Sequence, residues 1–570
     1  MTDRNRAMGN FKGILFGVAA TLAITQPVLA NPPIPTAPDA PVSPAPPADS
    51  ATASPTVTDS RAAAPETPKA SSTAAVPSTS SDDPVLAAVR TKLEAEQPAD
   101  DEYDRKDQTT LKNFYDERHG EALWVTATGV KPEAKTLASE IENANAYGLD
   151  ARDFKLPKLE NGALAATDTD SLADAEIQYS TAALLYVRYA RGGRIPDPSD
   201  QLTTEFDRRP QWIEPAVAIK ALADTHEPDA YLRSIEPQHA QFEKLRQFYI
   251  KMLPKDGNLA KLSPAAKRLR ANMEMWRWMW LDMGDFYVLN NIPEFMQYVY
   301  KDGKIVRSAK IVAGQLDKQS TIFSRPLKYV VLRPMWRVPE SIMVNELWPS
   351  LIRGGALMRQ YGLQLETKSG KRVNWRNYNW ATTDIRNFIV IQPPGPKSVL
   401  GRVKFSFPSQ HTIFMHDTPD KWMFRPAQRT LSHGCLRVQN PMQLAEMILK
   451  EDKGWDTAKV LDLDRHGPLN NEIPITKEIP IHLVYFTAWV GDNGKLKTFR
   501  DVYGHEKRIT LALDGKWSKI KKGHDHLAPV KPDFNPAAMA ARVQSRNEEV
   551  APSAQKSATL SDIIGSAFGL

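Results

Sequence analysis

A chain of 570 residues, 42% hydrophobic and 25% charged, is long enough for more than one domain with its own core. The 73 Lys and Arg residues outnumber the 67 Asp and Glu residues only slightly, giving a net charge of +6 with both signs mixed throughout. That makes no case for nucleic acid and gives only a weak pull toward an anionic partner such as a cell wall. A single cysteine excludes an intramolecular disulfide framework and a multi-cysteine zinc site.

Arg4, Arg6 and Lys12 precede the apolar run Ile14 to Ile24, which ends near Val28-Leu29-Ala30. This is the plan of a secretory signal peptide over 1–30, cleaved near Ala30, with export from the cytoplasm as the expectation. The run is short of the ~20 apolar residues that a membrane span needs, and an uncleaved signal anchor is the alternative. Residues 31–83 are almost entirely Pro, Ala, Ser and Thr. They are expected to be disordered with polyproline II character, either a spacer or a tolerated low-complexity tail.

The organisation that follows is multidomain α+β. An all-helical scaffold is expected over 84–265, where Leu137, Ile141, Ala144 and Gly148 recur at helical steps. Ile177 to Ala190 and Phe242 to Ile250 carry further stripes, and aromatics such as Trp124 and Tyr186 read as core. A mainly antiparallel β catalytic domain is expected over 266–515. Phe286 to Asn290, Phe295 to Tyr300 and Ile305 to Val312 alternate as strands, with Asp302-Gly303 as the turn. Further strands suit Tyr329 to Leu332, Phe388 to Gln392, Val403 to Phe407, Thr412 to His416 and Ile481 to Ala488. Residues 336–386, rich in Trp, Tyr, Arg and Asn, interrupt them as a capping insertion, helical over Ser341 to Tyr361. The insertion reads as an active-site lid or as structural decoration. A basic, largely disordered tail is expected over 516–570, where His524-Asp525-His526 reads as a solvated loop more readily than as a metal contact.

The chemistry gathers at Ser432-His433-Gly434-Cys435-Leu436-Arg437-Val438. Nucleophilic attack requires the thiolate of Cys435, which a nearby base can supply. Gly434 lets the backbone turn and aim N–H groups at one point, as an oxyanion site requires. The other reading of a lone cysteine is a small buried hydrophobe. His416, at a strand end, is a firm platform for a general base. His433 either shares that role or makes a hydrogen bond that orients the loop.

His416-Asp417-Thr418-Pro419, followed by Ser432 to Pro441, resembles the catalytic motif of the YkuD-type L,D-transpeptidases. Asn291-Ile292-Pro293, Trp336 to Ile342, Gln392 to Pro396 and Gly401 to Phe405 are similar to the larger YcbB-type subgroup, as is the helical half. The resemblance implies a periplasmic enzyme of peptidoglycan synthesis that crosslinks stem peptides. Cys435 would be the nucleophile, His416 the base, the Gly434 and Cys435 N–H groups the oxyanion site, and His433 a loop-ordering partner. Arg437, Ser432, Trp336 and Asn440 are the candidates for contacting substrate or bracing the loop. The donor would be the third stem residue, giving a 3-3 link, or the first, giving a 1-3 link. No metal and no cofactor are implied. The expected partners are peptidoglycan stem peptides, with cell-envelope proteins as further candidates, and the chain is expected to be a monomer. An L,D-carboxypeptidase or thiol hydrolase, and a non-catalytic wall-binding protein, are the competing readings. Many members of the subgroup carry a small peptidoglycan-binding module between scaffold and core. Only Lys251 to Ala265 separates them here, which leaves open how glycan would dock.

Overall fold

The computed structural model describes residues 83–528 together with Ala538 and Ala541. The expectations for the leader and the linker lie outside the described residues. Among the described residues no helix is long and apolar enough to cross a membrane.

The first part is a helical scaffold around the long helix Thr169–Gly192. Asp168 starts that helix by accepting from the N–H groups of Asp170 and Ser171, and Gly193, at φ 86°, ends it. Its Glu176 is wholly buried and accepts from the N–H groups of Leu123, Trp124 and Val125 and from Tyr115 Oη. One carboxylate thereby ties the helix to the turn before it, because a buried charge must be fully hydrogen-bonded. Two short hairpins, Val125–Thr126 with Gly129–Val130 and Leu159–Glu160 with Ala163–Leu164, are the only strands in it among the described residues.

Helix Pro264–Arg277 joins scaffold to sheet. Its Glu274 accepts from Arg194 N and Ile195 N, at 2.6 and 3.1 Å. Its Arg277 meets Glu236 at 2.7 Å with both side chains buried. Truncating one member of such a pair strands the other charge in the interior, so the joint is expected to be rigid. The apolar core runs across it, taking in Tyr147, Phe206 and Tyr249 from the scaffold side and Val288, Ile311 and Leu483 from the sheet.

The second part is an eleven-stranded sheet. The meander Phe286–Asn291, Met296–Lys301, Lys304–Gly314 is present as the alternation requires, with Asp302 and Gly303 at φ 49° and 72° in the connecting turn. Pairing is mainly antiparallel. The parallel exceptions are Met415–His416 with Leu436–Val438, Thr430–Ser432 with Lys304–Gly314, and Pro480–Val484 with Phe286–Asn291. The outer strands approach each other, since Ile475 N donates to Lys328 O and Leu327 N to Ile479 O, so the sheet curls back on itself.

Several elements differ from expectation. Only Met415–His416 is strand in the stretch from Thr412, because Thr412 takes φ 51°. Ile481 to Ala488 is two elements: Pro480–Val484 stays in the sheet, and Ala488–Val490 pairs with Leu496–Thr498. Phe388–Gln392 does not join the main sheet but is an inner strand of a separate four-stranded sheet, with Trp336–Arg337 and Gln364–Thr367 beside it, so the insertion runs on to Gln392 instead of ending at 386. The insertion has its own apolar core, including Trp348, Leu365, Trp380 and Val390. Its helical part is broken, with the π-turn Met343–Leu347 between short helices. Of the tail, residues 516–528 are mostly exposed but are anchored at Ile520, packed on the core, and at His526: its Nε2 is 2.7 Å from His411 Nδ1, and its Nδ1 is 3.2 Å from Glu205 Oε1. Apart from Ala538 and Ala541, the rest of the tail lies outside the described residues. A histidine expected in a solvated loop is thus a bolt between the scaffold and the loop at 408–412.

Candidate active site

Three neighbouring strands put three side chains in one row. Lys404 is paired with His416 across the antiparallel ladder, and His416 with Arg437 across the parallel one. Paired residues share a face, and so do residues two apart on a strand. Phe414 and Cys435 lie just before these strands, two residues ahead of His416 and Arg437. The 5.6 Å between the Phe414 and His416 rings and Lys404 Nζ at 4.5 Å from the Phe414 ring keep Phe414 on that face, and the charges of Lys404 and Arg437 both act on the Cys435 thiol. Cys435 is diagonal to His416. Diagonal neighbours in a sheet sit roughly 7–8 Å apart, a gap that side chains of this length can close.

Burial, more than the charges in the row, sets the resting state. The Nδ1–H of His416 donates to the Asp417 carbonyl, which leaves Nε2 as the basic nitrogen. Burial, followed by the positive charges of Arg437 and Lys404, pushes the His416 pKa down to about 3. Burial pushes the Cys435 thiol up to about 11, against smaller pulls downward from the Phe414 backbone, Lys404 and Arg437. Thiol and imidazole are therefore both uncharged at neutral pH. The half-buried thiol points to the Thr412 carbonyl, 3.9 Å away. Thr412, β-branched with φ 51°, holds a strained conformation at that contact. The rate of Cys435 alkylation by iodoacetamide is accordingly expected to keep climbing about tenfold per pH unit through pH 10. A plateau near 8.5 would show an ordinary solvated thiol. Lys404→Gln should slow the reaction at pH 9 by removing a cation that favours the thiolate.

The loop that carries the thiol is over-determined. Ser432 Oγ donates to the Cys435 carbonyl at 2.6 Å. Gly434 has φ 104°, and a Cβ there would lie 3.2 Å from the Gln319 carbonyl. The Gly434 carbonyl accepts from Ser320 Oγ at 2.6 Å, and Ser320 Oγ accepts from Gly314 N at 2.9 Å. Tyr503 Oη then donates to the Gly314 carbonyl at 2.5 Å. The N–H groups of Gly434 and Cys435 meet no acceptor among the described residues, which leaves two adjacent donors for a developing oxyanion.

The remaining candidates fall elsewhere. His433 does not face the thiol: its Nε2 is 2.8 Å from Glu346 Oε1 in the π-turn of the insertion. Burial alone would raise the Glu346 carboxyl, but His433 and Lys318 hold it below its ordinary range. His433 is therefore a latch between the nucleophile loop and the cap. Glu346→Ala is expected to cost about 1.5–3 kcal/mol of cap stability, the worth of a hydrogen bond to a charged group, read as faster amide exchange over 340–352 with the sheet unchanged. Arg437 is buried, donates from Nη1 to Thr418 Oγ1 at 3.3 Å, and keeps Nε without a partner among the described residues. Asn440 does not face the site. It starts helix Pro441–Lys453 at φ 50°, and its carbonyl accepts from Arg307 Nη2 at 3.0 Å, a bracing role. Trp336 packs on the core of the insertion. Lys404 lies within the Gly401–Phe405 stretch of the resemblance but its place beside the thiol is not legible there, and Thr412, Glu346 and the Gly314–Ser320–Tyr503 buttress sit in no motif. Among the described residues no group of His, Cys, Asp and Glu could hold a metal.

Residues 285–460 match the L,D-transpeptidase catalytic domain family, YkuD, and residues 109–248 match the scaffold domain family. A Haemophilus influenzae protein provisionally named an L,D-transpeptidase is 28% identical over 324 residues, which cover 56% of this chain and 62% of that protein. Among solved structures, an L,D-transpeptidase from Mycobacterium smegmatis is 10% identical, with a TM-score of 0.17, over 35% of this chain and 58% of that one. A variant of the Enterococcus faecium L,D-transpeptidase is 11% identical, with a TM-score of 0.16, over 35% and 50% of the two chains. At these scores the overlays place no residue.

Proposed function

We propose that this chain, which carries the YkuD-family L,D-transpeptidase catalytic domain behind a scaffold domain, crosslinks peptidoglycan stem peptides outside the cytoplasm through a thioester on Cys435. The observation that carries the reading is the Lys404–His416–Arg437 row with the thiol diagonal to its centre and two unspent N–H donors beside it. As the sulfur attacks the L-centre carbonyl of a tetrapeptide donor, His416 Nε2 takes the thiol proton. The oxyanion forms against the Gly434 and Cys435 N–H groups, and Lys404 and Arg437 offset the negative charge on sulfur and oxygen. Collapse breaks the amide bond, and the departing D-alanine amine takes the proton from His416. A neighbouring stem amine then attacks the thioester carbonyl, gives its proton to His416, and the sulfur leaves with it as thiol.

The test is to incubate the full chain with disaccharide tetrapeptide and weigh protein and products. An adduct absent in Cys435→Ala is expected, lighter than the donor by one alanine if the third stem residue is acylated or by the peptide beyond the first residue if that one is, together with a crosslinked dimer. Fragmentation of that dimer distinguishes a 3-3 from a 1-3 link. An adduct that yields only shortened peptide would move the assignment to a hydrolase. No adduct from folded protein would sink the thioester.

A further inference from the structure

A second cleft, whose lining does not include Cys435, lies elsewhere in the fold. It encloses about 700 Å³ between the scaffold segment at 207–211, the end of helix Pro264–Arg277, strand Phe323–Pro326 and the loop at 408–410. That volume and its place between domains are those of a small-molecule site.

Its lining is cationic and aromatic. Arg208, Arg209 and Arg325 face one acid, Asp207. Asp207 is already taken, with Arg325 Nη2 at 2.6 Å and His411 Nε2 at 3.1 Å. Arg208 is only 5% exposed, yet its partners are neutral: Ser324 Oγ, and the Leu483 carbonyl at 2.8 Å. A guanidinium in such surroundings is costly without an anion. Arg209 is exposed and meets no carboxylate among the described residues. Half-exposed Trp280, set edge-on to His482 at 5.5 Å, supplies an aromatic surface. Ser409 Oγ in the lining is buried without a partner.

The cleft also communicates with the site already described. Ser409 and Gln410 line it, and two residues on Thr412 presents its carbonyl to the thiol. Whatever fills the cleft rests on the loop that positions the nucleophile.

We propose that this cleft binds an amino sugar carrying a pendant carboxylate, with the sugar against Trp280 and the carboxylate on Arg208 and Arg209. The choice of ligand rests on the function proposed above: such sugars form the glycan to which stem peptides are attached. The carboxylate has two sources, the lactyl group of a peptide-free muramyl sugar or the stem peptide itself.

Binding is read by calorimetry with full-length Cys435→Ala, which needs no turnover. The probes are N-acetylmuramic acid, disaccharide tetrapeptide, N-acetylglucosamine and inorganic phosphate. At least one of the first two is expected to bind at least tenfold more tightly than N-acetylglucosamine, and the tighter of the two identifies the source of the carboxylate. Arg209→Glu, a surface change that leaves folding intact, is expected to weaken that binding at least tenfold. In the otherwise unaltered enzyme it should raise KM for disaccharide tetrapeptide. Equal binding of N-acetylglucosamine, equal binding by Arg209→Glu, or phosphate matching the sugars would overturn the proposal. Binding without thioester formation in the unsubstituted chain would instead sink the transpeptidase reading alone.

Discussion

His416→Ala is expected to cut turnover by about 10²–10⁴, the usual contribution of a positioned general base, while leaving Cys435 in place and alkylatable. In the proposed mechanism, loss of the imidazole removes the group that takes the thiol proton during attack. The pH profile checks the environment separately. Because burial, Arg437 and Lys404 hold His416 down to about 3, the ring stays neutral and competent at every pH above that. The acid limb of kcat/KM is therefore expected near pH 3, provided the chain remains folded, and not near the ordinary value of about 6.5. An acid limb at 6.5 would mean that the ring is solvated. Arg437→Met should move the limb upward, since removing a nearby positive charge makes protonation easier.

Gly314→Ala should be as damaging as any change in the active site, although Gly314 touches no substrate. A Cβ there would lie 2.0 Å from the Lys318 carbonyl and 3.0 Å from the Gly434 Cα. Both obstacles are backbone, so the chain over 315–319 would have to move and take Ser320 with it. A loss of about 3 kcal/mol or more is expected by denaturant unfolding, at the upper end of overpacking costs, with collapse of activity even where the fold survives. Gly303→Ala is the control. Its Cβ would meet nothing within 4 Å, and only its φ of 72° opposes the change, for about 1 kcal/mol and no effect on rate. Equal costs at the two positions would refute the buttress.

What the sequence makes readable is local. The three-strand meander follows from alternation and one Asp-Gly turn, and Ser432 to Val438 could be singled out because the chain has one cysteine. Helix Pro441–Lys453 is equally local, with Pro441 first, Leu444, Ala445, Ile448 and Leu449 on one face and Gly454 as its stop. The rest depends on register. Lys404 acquires its place only because it pairs with His416, which in turn pairs with Arg437, and no spacing along the chain encodes a row across three strands. His433 was the reverse case: adjacent to the nucleophile in sequence, it is turned by the loop to a carboxylate 87 residues away. His526 meets His411 across 115 residues, and nothing near either histidine announces the contact.

The uncharged resting state of Cys435 also bears on how long the enzyme lasts. Peroxide and disulfides attack thiolates, and an ordinary cysteine exposes a few per cent of that form at neutral pH. With its pKa pushed up to about 11, Cys435 exposes on the order of one part in ten thousand. A sulfur kept this inert withstands oxidants that would consume an activated one, and in the proposed reaction it becomes a nucleophile only when a bound carbonyl gives the negative charge somewhere to go. The site gains chemical endurance by generating its reagent on demand instead of storing it.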